Sequence, residues 1–535
     1  MHFTDWNNPY RTVRSPLMAR NVVATSQPLG AMAGLRMLLQ GGNAVDAAVA
    51  AAAAMAIVEP CSNGLGSDNF AILWDGQQLH GLNSSGVAPA AWTPEYFRRK
   101  HGDVFPMRGW DSVTVPGAVA GWAALSERFG KLPFADLMQP AIELAEAGYG
   151  VGVITADKWA KAVPALQGFE GWAQTFMPRG RAPLPGERFA MPEAADTLRK
   201  IAATKGQALY QGEIAEKIAA HAAANGGSMT VADLAAYRPE WVGTVSQEFA
   251  GHTVHEIPPN GQGIAALMAL GMLQHHDLAS LEADSLRSQH LQIEAMKLAF
   301  ADTYRWVADA RYMTQVKAAD LLNPSYLAER AKLINPDRAT LFNHGTPPAG
   351  GTIYLTAADA NGMMVSLIQS NYMGFGSGIV VPGTGVSLQN RGHGFTLEAG
   401  HPNQVAPGKR PFHTIIPAFL TKDGQPVMSF GVMGGNMQPQ GHLQTLVRML
   451  VNGQQPQAAC DAPRWKVSTG LDMDVEHTMD PALAEGLRGL GHQMVPVPDA
   501  YMDFGSGQFI ARLGALEDGY VAASDSRRDG QAVGY

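Results

Sequence analysis

Two cysteines in 535 residues, Cys61 and Cys460, are too few for a disulfide scaffold or a cysteine-based zinc centre. Charge is scarce as well. Asp, Glu, Lys and Arg make up 16% of the chain, the net charge is −8 and no Lys/Arg run occurs, which argues against nucleic acid and anionic membrane as partners. The longest apolar run, residues 47–58, is too short to span a bilayer. The opening residues 1–8 lack the apolar stretch of a secretory signal, so the sequence predicts a cytoplasmic protein. Also missing are internal repeats, a P-loop, a G-x-S-x-G nucleophile elbow and a zinc spacing such as H-E-x-x-H. Phosphoryl transfer and α/β-hydrolase chemistry therefore have no support, and neither cofactor nor metal is expected.

What is present is apolar bulk. A hydrophobic content of 46% over this length can bury a large core, as one big domain or two or three lobes. The first half reads as mostly helical, over 31–39, 44–58, 121–128, 134–147, 194–203, 213–224 and 285–309, with Asn43 capping the second. A strand is expected at 70–74. Beyond Thr352 the chain turns strand-like and Gly/Pro-punctuated, with helices expected only at 441–451 and 481–490. Residues 335–351 read as an exposed linker that tolerates a cut. His275-His276 reads as a solvated helix end and His442 as a core histidine.

Within this pattern, Gly350-Gly351-Thr352-Ile353-Tyr354-Leu355 places a threonine after two glycines at the start of a strand. Cleavage of the Gly351–Thr352 bond would give Thr352 a hydroxyl and a free α-amine, a nucleophile and its base in one residue. An α-amine titrates near pH 8, so no histidine is needed. The ordinary alternative is a threonine that opens a strand and does nothing more. Asp359-Ala360-Asn361-Gly362 between two β-compatible runs predicts a hairpin. A two-residue loop sets Thr352 opposite Asn371 and a four-residue loop sets it opposite Gln369; both bring Ser370 within one step. Gly434-Gly435, after the apolar run 427–432, leaves two backbone N–H groups unobstructed, as an oxyanion hole requires. Gly374-Phe375-Gly376-Ser377-Gly378 reads as a flexible loop.

Taken in order, Gly41-Gly42-Asn43-Ala44-Val45-Asp46, Val115-Pro116-Gly117-Ala118, Gly227-Ser228-Met229-Thr230, Glu294-Ala295-Met296-Lys297 and Ala523-Ser524-Asp525-Ser526-Arg527 resemble blocks of the γ-glutamyltransferase family of N-terminal-nucleophile (Ntn) hydrolases. The resemblance covers nearly the whole chain. It implies an α+β fold, a four-layer αββα sandwich, and self-cleavage into a large subunit (1–351) and a small one (352–535) that stay intertwined. Thr352 would be the nucleophile, Ser370 its hydroxyl neighbour, and Gly434 and Gly435 the oxyanion glycines; Asn371 and Asn390 would lie at the substrate.

The departures bear on the substrate. Ser85 stands where glutathione-specific members place a carboxylate-binding arginine, His393-Gly394 where they place an acidic pair, and His413-Thr414 where they place a serine pair. Both halves of the glutamyl clamp are missing. Residues 396–409 are short for the family's lid, which predicts an open pocket. The pattern resembles the divergent branch that includes cephalosporin-acylase-like proteins and oxamate amidohydrolase. It implies amide hydrolysis on a small acidic or N-acyl substrate, with Arg391 a candidate clamp for a substrate carboxylate. The alternatives are a true γ-glutamyltransferase or glutathione hydrolase, and an uncleaved, inactive relative acting as a binding protein. A homodimer is left open.

Overall fold

Apart from two small sheets, Val380–Val381 with Val386–Ser387 and Trp465–Thr469 with Asp472–Glu476 and Gln493–Val497, the strands after Thr352 do not stand alone. They pair with strands from the first half, in two sheets of seven strands each. One runs Gln531–Gly534, Val22–Thr25, Gly351–Ala358, Met364–Tyr372, Asp68–Trp74, Leu79–Ser84, Glu240–Trp241. The other runs Leu17–Ala19, Tyr520–Ser524, Ser506–Arg512, Gln425–Met433, Ala418–Lys422, His252–Glu256, Val245–Phe249. Every pairing within these two sheets is antiparallel. The computed structural model describes residues 14–342, 351–497 and 504–535. The opening stretch 1–8 and positions 343–350 of the expected linker lie outside the described residues.

The two-residue period of the strands divides their side chains between two cores. Phe70, Ile72, Tyr354, Ile368, Phe419 and Ile510 fill the space between the sheets. Their neighbours Leu73, Leu355 and Leu367 point the other way, onto the helices Pro28–Leu39 and Ala44–Val58. On the second sheet Val254, Leu420, Phe430 and Phe509 pack against Gly263–Leu273, Leu286–Trp306 and Met437–Leu446. The result is the expected αββα sandwich.

Helix Ala44–Val58 shows how the sequence builds a layer. Asn43 Oδ1 accepts from Asp46 N while the Asp46 carboxylate accepts from Asn43 N, a reciprocal cap. Every residue of this helix is buried. Its alanines let it lie close to its neighbours; a Cβ on Gly34 of the adjoining helix would stand 2.8 Å from the Ala47 carbonyl oxygen. The long apolar run is thus a core helix, and no helix among the described residues is long and apolar enough to cross a membrane.

The hairpin corrects both expected registers. Ile353 faces Gln369, Leu355 faces Leu367 and Ala358 faces Met364, one step away from either. The cause is Asp359, whose Oδ1 accepts from both Asn361 N and Met363 N and tightens an odd-numbered loop with Gly362 at φ 93°. A bulge then sets Gly351 opposite Tyr372. Other differences are local. The expected helix 285–309 ends at Trp306, and Asp309 caps a short 3-10 turn instead. Gly263–Leu273, apolar on all sides, and the strands Leu79–Ser84, Val245–Phe249 and His252–Glu256 go beyond the expected elements. The loop 374–378 is anchored rather than loose, because the buried Phe375 packs between Trp159, Trp172 and Phe176.

Candidate active site

At the start of the central hairpin Thr352 Oγ1 donates to Ser370 Oγ at 3.2 Å, and Ser370 Oγ accepts from Tyr372 N at 2.8 Å. A third group reaches the same oxygen: Gln438 Nε2 donates to Thr352 Oγ1 at 3.5 Å. Gln438 stands in the first turn of Met437–Leu446, directly after Gly434 and Gly435. Those glycines adopt φ 127° and 58°, and a Cβ on Gly434 would meet Gly505 Cα at 2.9 Å. The threonine, its hydroxyl neighbour and the glycine pair therefore converge.

The row of side chains continues across the sheet, since Ser370 pairs with Asp68 on the next strand. Asp68 is wholly buried; Oδ1 accepts from Gly117 N at 3.1 Å and Oδ2 meets His413 Nε2 at 3.2 Å. Burial raises its pKa to about 6, against the pull of backbone donors and of Arg391. Burial, with Arg391 adding to it, drives His413 well below the ordinary histidine range. A neutral ring fits its bonds, with Nδ1 accepting from Ile415 N and Nε2–H facing the carboxylate.

Arg391 closes the ring. Its guanidinium lies 4.5 Å from the Tyr372 ring centre, and Nη1 donates to Thr414 Oγ1 at 2.8 Å. Nε and Nη2 have no partner among the described residues, although the side chain is completely buried. Burial lowers its pKa to about 10, which leaves it a cation at neutral pH. Gln262 ties this wall to the glycines, donating to Thr414 O at 2.6 Å and to Gly435 O at 2.9 Å.

The remaining sequence candidates hydrogen-bond within the fold. Ser85 Oγ donates to Asn83 Oδ1. Asn390 is held at both ends, accepting from Met373 N and donating to Met107 O. Asn371 follows Ser370 on its strand, so its side chain takes the opposite face and accepts from Ser67 Oγ. His393 Nδ1 lies against Phe105 O, with no acidic partner among the described residues. Within the short 396–409 segment Leu397 and Val405 are packed into an aromatic cluster with Trp92 and Phe97, and Thr352 is only 2% exposed in the uncut chain. His442 is a core histidine as expected, its Nδ1 2.7 Å from Glu256 Oε1.

Asp68 and Gln438 escaped the sequence reading. Asp68 lies in a turn-rich stretch next to a strand, where an acidic residue is unremarkable, and Gln438 carries no motif. Among the described residues one cluster has metal-ligand chemistry, His290, Glu294 and His492. There the two rings already bond each other at 2.9 Å and Lys297 Nζ holds Glu294 Oε1 at 2.6 Å.

The gamma-glutamyltranspeptidase profile matches residues 30–535, nearly the whole chain. The chain belongs to the gamma-glutamyltranspeptidase family. It is 35% identical to the glutathione hydrolase-like YwrD proenzyme of Bacillus subtilis, with 97% of this chain and 99% of that one covered. Identity to the oxamate amidohydrolase proenzyme of Klebsiella pneumoniae is also 35%, over 95% of this chain and 97% of that one. The crystal structure of cephalosporin acylase from Bacillus halodurans superposes with a TM-score of 0.95 at 46% identity, covering 100% of this chain and 99% of that one. Fold and family together make this chain an Ntn-type enzyme acting on C–N bonds.

Proposed function

We propose that the chain cuts itself between Gly351 and Thr352 and then hydrolyses the amide bond of a small, carboxylate-bearing substrate through a threonyl ester. The observation that carries this reading is the open fork of Arg391. Nε–H and Nη2–H point the same way from a guanidinium, the side-on pair that grips a planar carboxylate bidentately. Here Thr414 occupies the third nitrogen, Tyr372 backs the plane, and that pair alone lacks a partner among the described residues. A buried cation with no carboxylate in direct contact is costly, and a substrate carboxylate offsets that cost. The related names agree with this chemistry, since oxamate is an amide bearing a carboxylate and cephalosporin acylases cleave N-acyl amides.

In turnover the Thr352 α-amine takes the Oγ proton, Oγ adds to the substrate carbonyl, and the oxyanion faces the Gly434 and Gly435 amides. Collapse breaks the C–N bond, the amine leaves with the proton, and water then releases the acid from the ester. Glutathione is disfavoured because Ser85 and His393 offer no glutamyl clamp. The test compares three chromogenic anilides: 4-nitrooxanilate, glutaryl-4-nitroanilide and γ-glutamyl-4-nitroanilide. One of the first two should be preferred, Thr352→Ala should be inactive, and Arg391→Ala should raise KM by about 10²-fold or more, since two charge-assisted bonds are worth about 3–6 kcal/mol. A preference for the γ-glutamyl anilide, or an unchanged KM, would reject the reading.

A further inference from the structure

Among the described residues two side chains hydrogen-bond to the Thr352 hydroxyl, Ser370 and Gln438, and the second has no assigned part in the chemistry. We propose that Gln438 is a further catalytic residue, donating its carboxamide N–H to Thr352 Oγ as the ester bond to that oxygen breaks. The inference rests on Thr352 being the nucleophile. Its geometric basis is the orientation of the amide. Gln438 is completely buried, and its Oε1 accepts from Ile416 N at 2.9 Å. Turning the amide over would set N–H against N–H at Ile416 and oxygen against oxygen at Thr352, so Nε2 must face the threonine. Thr352 Oγ1 then donates to Ser370 and accepts from Gln438, which leaves one lone pair to attack a carbonyl carbon.

The 3.5 Å separation is long for a ground-state bond. Such contacts tighten as charge develops on the acceptor. In self-cleavage Oγ adds to the Gly351 carbonyl carbon, the Gly351–Thr352 C–N bond breaks, and the Oγ proton ends on the new α-amine, giving an ester of Gly351. Water next adds to that ester carbonyl and loses a proton to the amine. The C–Oγ bond breaks with its electron pair on Oγ, which recovers the proton. In this second step Oγ departs with the electron pair, and Gln438 is the donor aimed at it. Gly434 and Gly435 serve the carbonyl oxygen; Gln438 serves the leaving oxygen. The position at the N-terminus of Met437–Leu446 adds the positive end of the helix dipole to the same atom.

Self-cleavage supplies an assay that needs no knowledge of the substrate. Full-length protein is made by cell-free translation, and the appearance of the 352–535 fragment is followed, with near-UV circular dichroism as the check on folding. Gln438→Met should cut about 10²-fold more slowly, the usual effect of losing one such donor. It should also accumulate an ester that hydroxylamine cleaves immediately. Gln438→Glu keeps the acceptor for Ile416 N but withholds the donor at pH 8; its rate should recover toward pH 5, where a protonated carboxyl donates again. Wild-type kinetics in Gln438→Met would overturn the inference. So would a slow variant with no hydroxylamine-sensitive species and a Gln438→Glu defect that ignores pH, the behaviour of a merely structural side chain. A wild-type chain that never cuts would instead remove the nucleophile assignment, and this inference with it.

Discussion

Asp68 and Arg391 are buried within one cluster yet form no direct ion pair there, and this spacing sets their behaviour. Asp68 spends its direct bonds on a backbone donor and His413, so it attracts the guanidinium across the cluster without touching it. Its folded pKa of about 6 lies above the ordinary value of 3.8. The sign follows: the folded state holds this proton more tightly than the unfolded state, so the contribution to stability is present below about pH 4 and lost as pH rises through about 6. At 1.36 kcal/mol per unit the loss is about 3 kcal/mol. Relative to Asp68→Asn, which cannot ionise, the wild type should lose up to that amount between pH 4 and 6.5 in urea unfolding. A flat difference would mean that Asp68 titrates normally. Thr352 and Ser370 were legible because a Gly-Gly-Thr before a hairpin brings them together without tertiary information. Arg391 was legible only as a charge in a suggestive place. Its open fork depends on Thr414 and Tyr372, which approach it only in the fold.

At the scale of elements, caps and glycines do what their local geometry demands. Asn43 caps Ala44–Val58 and also donates to Phe129 O at 2.6 Å, joining the helix start to a neighbouring turn. Asn43→Ala should cost about 1–2 kcal/mol, read from the urea midpoint at constant slope. Gly434 has φ 127° and no room for a Cβ beside Gly505, so Gly434→Ala should abolish self-cleavage even if the chain folds. Normal cleavage in that variant would remove the glycine pair from the oxyanion site. Amphipathic helices such as Phe134–Ala147 were readable to the residue because their periodicity is one-sided. Gly263–Leu273 was not, since a helix buried on every side carries no period. The hairpin was visible but its register was not, because Asp359 reshapes the loop through side-chain bonds.

The whole molecule is woven from the two expected pieces. Val22–Thr25 lies between Gln531–Gly534 and Gly351–Ala358, and His252–Glu256 pairs with Ala418–Lys422. Neither piece owns either of the seven-stranded sheets, so cleavage should leave them together. After processing, the fragments should co-elute on size exclusion and part only in denaturant; separation under native conditions would contradict the shared sheets. The central claim is that Thr352 becomes a chain terminus by its own chemistry. Its most direct test is denaturing intact mass with N-terminal sequencing of the freshly purified protein beside Thr352→Ala. The account predicts two fragments from the wild type, the smaller beginning at Thr352, and one uncut chain from the variant. An intact wild-type chain, stable for days at neutral pH, would contradict it and leave a binding protein in place of an enzyme.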